Sequence, residues 1–193
     1  MIILRRDQLN LVEPTHEAMK TPPAPYDFEK EKESAVNVAK VLISRMKELG
    51  GVGLSANQLG LNLRVFVMGD ENNYLAVFNP EILETKGDPF SFREGCLSYP
   101  GLMMNITRPP IVRVKFQNEY GVWKEEEYIG ITARIFQHEY DHMEGKDFTS
   151  KVSKMKLDFA MKKYKNVKKK IIKKHAVKTM IEALNESTKS ERV

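Results

Sequence analysis

The densest chemistry in the chain lies between Gln137 and His142, where His138-Glu139-Tyr140-Asp141-His142 reads H-E-x-x-H. On an α-helix, residues four apart share a face, so His138 and His142 can present two imidazoles to one metal ion. Glu139 follows the first of them, where a carboxylate reaches a water beside that ion without ligating it. The plain alternative is a buried helix with two hydrogen-bonded histidines. Upstream stands Cys96, the chain's single cysteine, within Glu94-Gly95-Cys96-Leu97-Ser98-Tyr99-Pro100-Gly101. Such a Gly-, Ser- and Pro-rich turn is a poor place for an inert core thiol. A thiolate there is a candidate third ligand, and a Cys-His-His set leaves a fourth tetrahedral position open, the pattern of a catalytic site. Cys96 acting as a nucleophile is the rival reading. A third stretch, residues 51–58 (GVGLSANQ), has two glycines that let the backbone run close to a ligand or another strand. It lacks the Gly-Lys-Ser/Thr of a phosphate loop and the G-x-G-x-x-G of a dinucleotide site. Gln58 is its one side chain able to donate a neutral hydrogen bond to a substrate oxygen, an ordinary surface glutamine being the alternative.

The surrounding pattern predicts the elements that hold these stretches. Ile131, Ile135, His138 and His142 recur at helical spacing, Ala133, Phe136, Tyr140 and Met143 make a second apolar flank, and Gly145 stands where a helix C-cap is wanted. That helix is expected to be buried. Residues 1–28 contain Pro14, Pro22, Pro23 and Pro25 and read as an irregular lead-in. From Glu29 a helix is expected, with Ala35, Val38, Ala39, Leu42, Met46 and Leu49 on one face and Gly50-Gly51 ending it. Strands are expected at 64–68, 74–78, 82–85 and 111–116, with Asn79-Pro80 as a break and 122–129 pairing with 111–116 as a hairpin. Helix, antiparallel strands, then metal helix is an α+β order without βαβ alternation: antiparallel strands packed around a buried central helix carrying H-E-x-x-H.

At 193 residues and 41% hydrophobic content the chain is of single-domain size with enough apolar surface for a core. One cysteine permits no intramolecular disulfide, which points to a reducing compartment. The N-terminal apolar run is too short for a signal peptide, and no stretch approaches a membrane span, so a soluble, cytoplasmic protein is expected. Net charge is +5, but it divides sharply: from residue 151 onward 14 basic residues face 4 acidic ones, while the first 150 carry 17 basic and 22 acidic. Such a division marks a tail suited to a polyanion. The tail has neither Gly nor Pro, and one or two helices are expected there. Val152, Met155, Phe159, Tyr164, Val167 and Ile171 form an apolar stripe, with lysines from Lys162 to Lys174 crowding between them.

Taken together, GVGLSANQ (51–58), EGCLS (94–98) and QHEYDHMEG (137–145) resemble, in order and spacing, the three motifs of the peptide deformylases. The resemblance covers about residues 50–148. Ser55 stands where the family usually has alanine and Met143 where it usually has leucine; neither the first 28 residues nor the tail aligns. The resemblance implies an enzyme that removes the formyl group from N-formylmethionyl peptides. It implies Cys96, His138 and His142 as ligands of one divalent metal ion, usually Fe(II) and replaceable by Zn(II) or Ni(II). Glu139 becomes the general base and acid, and Gln58 and the backbone N–H of Leu97 the oxyanion donors. Gly53 and Gly95 would let the peptide lie along the loops as an added strand. Candidates for the methionine pocket are Val52, Phe92, Ile131, Arg134 and Ile135, with Arg134 lining it by its stem while its head reaches water. Residues 1–150 are then a catalytic domain and 151–193 a basic, mostly helical extension, not an independent domain. A monomer is expected, with the extension docking on the ribosome. The competing readings are an H-E-x-x-H endopeptidase, whose further downstream ligand is missing, and a ribosome- or nucleic-acid-binding protein with a structural metal, for which no fourth protein ligand stands out.

Overall fold

The computed structural model describes residues 4, 9–70, 73–166 and 169. In chain order these give helix α1 (Phe28–Glu48), strands β1 (Gly53–Ser55), β2 (Val65–Gly69), β3 (Tyr74–Lys86), β4 (Phe90–Gly95), β5 (Met103–Arg108), β6 (Ile111–Gln117) and β7 (Trp123–Ile129), then helix α2 (Gly130–Met143). Short 3₁₀ turns lie at Glu17–Met19, Ala56–Leu59 and Phe148–Lys151. All strand pairs are antiparallel: a five-stranded sheet in the order β1-β2-β3-β6-β7, and a separate hairpin of β4 with β5.

Alternation along β2 and β3 explains how two helices share one sheet. Val65, Val67, Ala76 and Phe78 point into a cluster with Ala35, Val38, Ala39, Leu42 and Met46 of α1. Their neighbours Phe66, Met68 and Val77 point the other way, joining Val112, Val114 and Phe116 of β6 against Ala133, Phe136 and Met143 of α2. Successive side chains of a strand face opposite sides, so α1 and α2 cover opposite faces of this part of the sheet. That is why β2 is apolar without a break. The helix expected from Glu29 starts one residue earlier, capped by the Asp27 carboxylate, which accepts the N–H groups of Glu29 and Lys30.

Strand β3 runs through the break expected at Asn79-Pro80. The register against β6 shifts between Phe78 and Glu81, and Asn79 takes a left-handed conformation with φ of 49°. Asn79 makes the bulge tolerable because its side chain accepts the Tyr26 N–H at 2.7 Å and donates to the Tyr26 carbonyl at 2.9 Å. The sequence pattern announces neither the β4–β5 hairpin nor the short β1.

Helix α2 ends as its sequence predicts. Gly145 has φ of 64°, its N–H donates to the His142 carbonyl, and the Lys146 N–H reaches back to Asp141 at 2.9 Å. This is a Schellman termination, and a side chain at 145 would press on the Lys20 carbonyl. Arg64 adds a bond to the Met143 carbonyl at 2.6 Å. Residues 154–166 are helical. The expected apolar stripe holds only in part: Val152 and Tyr164 pack on Tyr99, Leu102, Met104, Ile106 and Phe148 as expected, but Met155 and Phe159 are 80% and 77% exposed, and Leu157, Ala160 and Met161 pack in their place. Positions 157, 160, 161 and 164 keep strict helical spacing, which 152, 155 and 159 extended to 164 do not. Val167, Lys168, Ile171 and the lysines beyond 169 fall outside the described residues.

Candidate metal centre and active site

Three separate segments bring the sequence motifs together. Helix α2 supplies His138, Glu139 and His142, β1 and the following 3₁₀ turn supply Ser55 and Gln58, and the turn after β4 supplies Cys96 and Leu97. The Cys96 sulfur and one nitrogen each from His138 and His142 lie within 4.8 Å of one another. Cys96 Sγ is 3.5 Å from His142 Nε2. A tetrahedral ion with metal–sulfur and metal–nitrogen bonds of about 2.3 and 2.1 Å needs an S···N edge of about 3.6 Å, so the donors fit such an ion.

The histidine orientations are set from behind. Glu94 Oε2 accepts from His138 Nδ1 at 3.0 Å, leaving Nε2 as the nitrogen free to ligate. Glu94 also accepts from Arg108 Nε and Nη2 at 2.8 and 3.0 Å and from Arg134 Nη1 at 2.7 Å. Arg108 continues to Asp141 at 2.8 Å, and Asp141 to Lys151 at 2.9 Å. Burial raises the Glu94 pKa, but the bonds from His138, Arg108 and Arg134 outweigh it and hold the carboxyl at about 2. Glu94 is therefore an anion at neutral pH and His138 the donor. Burial lowers the His138 pKa, and its bonds to Cys96 and Glu94 reverse this in the metal-free protein, bringing it to about 10, so an ion taking Nε2 displaces a proton. His142 is fully buried, and burial together with the nearby His138 pushes it well below the usual histidine range. Its carbonyl accepts from Asn57 Nδ2 at 2.8 Å.

Glu139 is buried beside β1. Its pKa is raised: desolvation outweighs the lowering by His138, by the Ser55 hydroxyl and by Arg108. Gln58 is also buried. Its Oε1 accepts the Ser55 N–H at 2.9 Å, while Nε2 donates to Ser98 Oγ at 3.0 Å and to Cys96 Sγ at 3.3 Å. At Gly51 a Cβ would lie 2.7 Å from Leu97 Cδ1 and 3.1 Å from the Gly53 carbonyl oxygen, so a side chain there would turn Leu97 out of its place.

The site opens on a cleft of about 610 Å³. Val52, Gly53, Gln58, Gly95, Cys96, Leu97, His138 and Glu139 all face it. Phe92, Ile131, Arg134 and Ile135, expected around the methionine pocket, are not among the described residues that line it. Arg134 in particular does not send its head to water. It is 3% exposed, bonded to Glu94 and to the carbonyls of Ile106 and Phe90, because the β4–β5 hairpin covers the helix face that carries it. Ile131 is exposed and Ile135 packs under α2 against the sheet. Phe92 is half exposed, near the Arg134 guanidinium. The residues that sequence reasoning missed are Glu94 as the anchor of His138, Arg108 and Asp141 behind it, and Ser55. Glu94 and Ser55 lie inside the motifs, so their position was available as a signal; Arg108, on a strand absent from the expected set, gave none.

An open three-donor site beside a buried carboxylate, both facing one cleft, defines a metal-dependent hydrolase. A family model described as polypeptide deformylase matches residues 8–158. The peptide deformylase of Thermotoga maritima is 41% identical over 126 residues, 65% of this chain and 77% of that protein. The crystal structure of a peptide deformylase from Legionella pneumophila superposes with a TM-score of 0.77 at 31% identity, covering 83% of this chain and 95% of the other. A Met-Ala-Ser-bound class I type b peptide deformylase from Acinetobacter baumannii gives a TM-score of 0.70 at 28% identity, over 75% and 98% of the two chains. The chain belongs to the polypeptide deformylase family.

Proposed function

We propose that the protein is a metal-dependent amide hydrolase that removes the formyl group from the N-terminal formylmethionine of nascent polypeptides and releases formate. The observation that carries this reading is the gathering of the Cys96, His138 and His142 donor atoms within 4.8 Å of one another, with Cys96, His138 and Glu139 lining one cleft, in a chain of this family. The Met-Ala-Ser complex of the Acinetobacter relative, which has the sequence form of a deformylated product, supports the substrate class.

Cys96, His138 and His142 would hold the ion, with Glu94 fixing the His138 tautomer from behind. A divalent ion supplies Lewis acidity, bringing the pKa of water from about 15.7 toward about 7. Fe(II) is our assignment for the resident metal, as the family resemblance implies; Zn(II) or Ni(II) would substitute, because a thiolate and two imidazoles suit all three. Glu139 accepts the proton of the attacking water as its oxygen bonds to the formyl carbon. It then delivers that proton to the methionine nitrogen as the C–N bond breaks. Burial suits it to the first transfer, since a raised pKa makes the carboxylate a better base. Gln58 Nε2 and the Leu97 N–H donate to the oxygen on which negative charge develops. Gln58 has one amide proton held by Ser98, so only the proton now turned to Cys96 is redirected. Val52, Gly53 and Gly95 line the cleft where the peptide backbone would lie.

The finer assignments follow the same reading. Residues 1–150 form the catalytic domain. The basic extension from 151 serves to hold the enzyme near ribosomal RNA, supported by the exposure of Lys154, Lys156, Lys162, Lys163 and Lys165 on the helix at 154–166. We assign a cytoplasmic monomer; no helix among the described residues is long and apolar enough to cross a membrane. The test is formate release from a formyl-Met tripeptide by protein purified anaerobically with Fe(II). Stoichiometric release with no reaction of the unformylated peptide is expected. Cleavage of internal peptide bonds without formate would support an endopeptidase and overturn the proposal.

A further inference from the structure

Ser55 is fully buried at the end of β1, and its hydroxyl donates to Glu139 Oε2 at 2.5 Å. That distance lies in the range of charge-assisted O–H···O⁻ bonds. Strand alternation puts Gly53 and Ser55 on the same side of β1, and both face Glu139. At Gly53 a Cβ would collide with Glu139 Oε1 and crowd its Cδ and Cγ. The carboxylate thus lies flat over β1, one oxygen fixed by a hydroxyl and the other beside a backbone that lines the cleft. The same serine gives its backbone N–H to Gln58 Oε1 at 2.9 Å. One residue therefore sets both the acid–base carboxylate and the amide assigned to the oxyanion. The backbone bond survives replacement by alanine, which removes the hydroxyl's bond to Glu139 together with the capping-box bond that the hydroxyl accepts from the Gln58 N–H.

We propose that Ser55 is a positioning residue for the proton transfers: its hydroxyl holds Glu139 in the rotamer from which one oxygen, Oε1, serves water and leaving nitrogen. This rests on the deformylase reading above. In this chain, where a serine replaces the family's usual alanine, Glu139 Oε2 is held by that hydroxyl; without it the carboxylate would be free to turn about its χ angles in the space that Gly53 leaves, and misplacement of a proton acceptor by a fraction of an ångström slows transfer without weakening substrate binding. A purely structural role, in which the hydroxyl only satisfies a buried oxygen, predicts something different: a loss of stability or metal with no selective effect on turnover.

The experiment measures formate release by the wild-type holoenzyme, Ser55→Ala, Glu139→Gln and the double variant, with metal content determined for each. Ser55→Ala is expected to lower kcat about tenfold, the lower end for residues that orient a site group, with KM within twofold and metal content unchanged. In the Glu139→Gln background the same substitution is expected to change the residual rate less than twofold, because the group being positioned is no longer a base. A kcat for Ser55→Ala within twofold of wild type, a kcat above wild type, or an undiminished tenfold loss in the Glu139→Gln background would each overturn the proposal. Loss of metal from Ser55→Ala would overturn it as well, by making the serine structural. Inactivity of the wild type would instead strike the deformylase reading itself.

Discussion

Replacing Glu94 by alanine removes the carboxylate that accepts from two buried arginines and from His138. Two routes give the size of the effect. Breaking a buried ion pair by deleting one partner costs about 3–5 kcal/mol. Independently, a fall in the carboxyl pKa from 4.5 to about 2 corresponds to roughly 3 kcal/mol of native-state stabilisation at neutral pH. The lower figure is the better choice, because the arginines keep other partners. Arg108 still reaches Asp141 and the Gln137 carbonyl, and Arg134 still reaches the carbonyls of Ile106 and Phe90. For a chain of this size about 3 kcal/mol lowers Tm by about 6–12 °C. Calorimetry of the metal-free proteins at pH 7 isolates this term from metal binding. Chelator competition then reads the second consequence, a 10–100-fold weaker affinity once the His138 ring loses its anchor. A Tm fall below about 2 °C together with unchanged metal affinity would refute the reasoning, since it would mean the network neither stabilises the fold nor orients the ligand.

Other outcomes follow from the same geometry. Glu139→Gln is expected to keep the metal and lose at least about 100-fold in kcat, as measured by formate release, because an amide cannot shuttle a proton. Cys96→Ser is expected to lose bound metal on dialysis, as read by elemental analysis; full retention would favour an endopeptidase with its ligands elsewhere. Glu94 has a folded pKa below its unfolded value, so its contribution is complete above about pH 4.5 and disappears as pH falls toward about 2. The Tm of the metal-free protein is therefore expected to drop across that window, with a shallower slope in Glu94→Gln. Deleting residues from Lys165 onward should leave turnover of a short formyl-Met peptide nearly unchanged and weaken salt-sensitive co-sedimentation with ribosomes.

Local pattern made parts of the fold legible and hid others. The stripe of α1 and the glycine stop of α2 read correctly because helical period and C-cap chemistry are local. The alternation of β6 made the 111–129 hairpin visible for the same reason. Asn79-Pro80 looked like a break because nothing in the sequence announces that Tyr26, 53 residues earlier, satisfies the bulged asparagine. The β4–β5 hairpin was hidden because Glu94 and Arg108 interrupt its apolar pattern, and their burial is intelligible only once Arg134, His138 and Asp141 are seen facing them. At the site, motif spacing sufficed to bring Cys96, His138, His142, Glu139 and Gln58 together. It failed for Arg134, because helical spacing names a face without naming what covers it. The exposure of Phe159 in place of its expected packing has the same origin: neighbouring stripes on one helix compete, and only the body decides which is buried.

The central claim is that Cys96, His138 and His142 hold one ion with a position left open beside Glu139. Anomalous diffraction from crystals of the metal-loaded protein tests it most directly. The expected result is one peak with about 2.3 Å to Cys96 Sγ and about 2.1 Å to each imidazole, and no fourth protein ligand. A peak elsewhere in the molecule, a Cys96 sulfur outside bonding distance, or a fourth side chain closing the coordination would contradict the account.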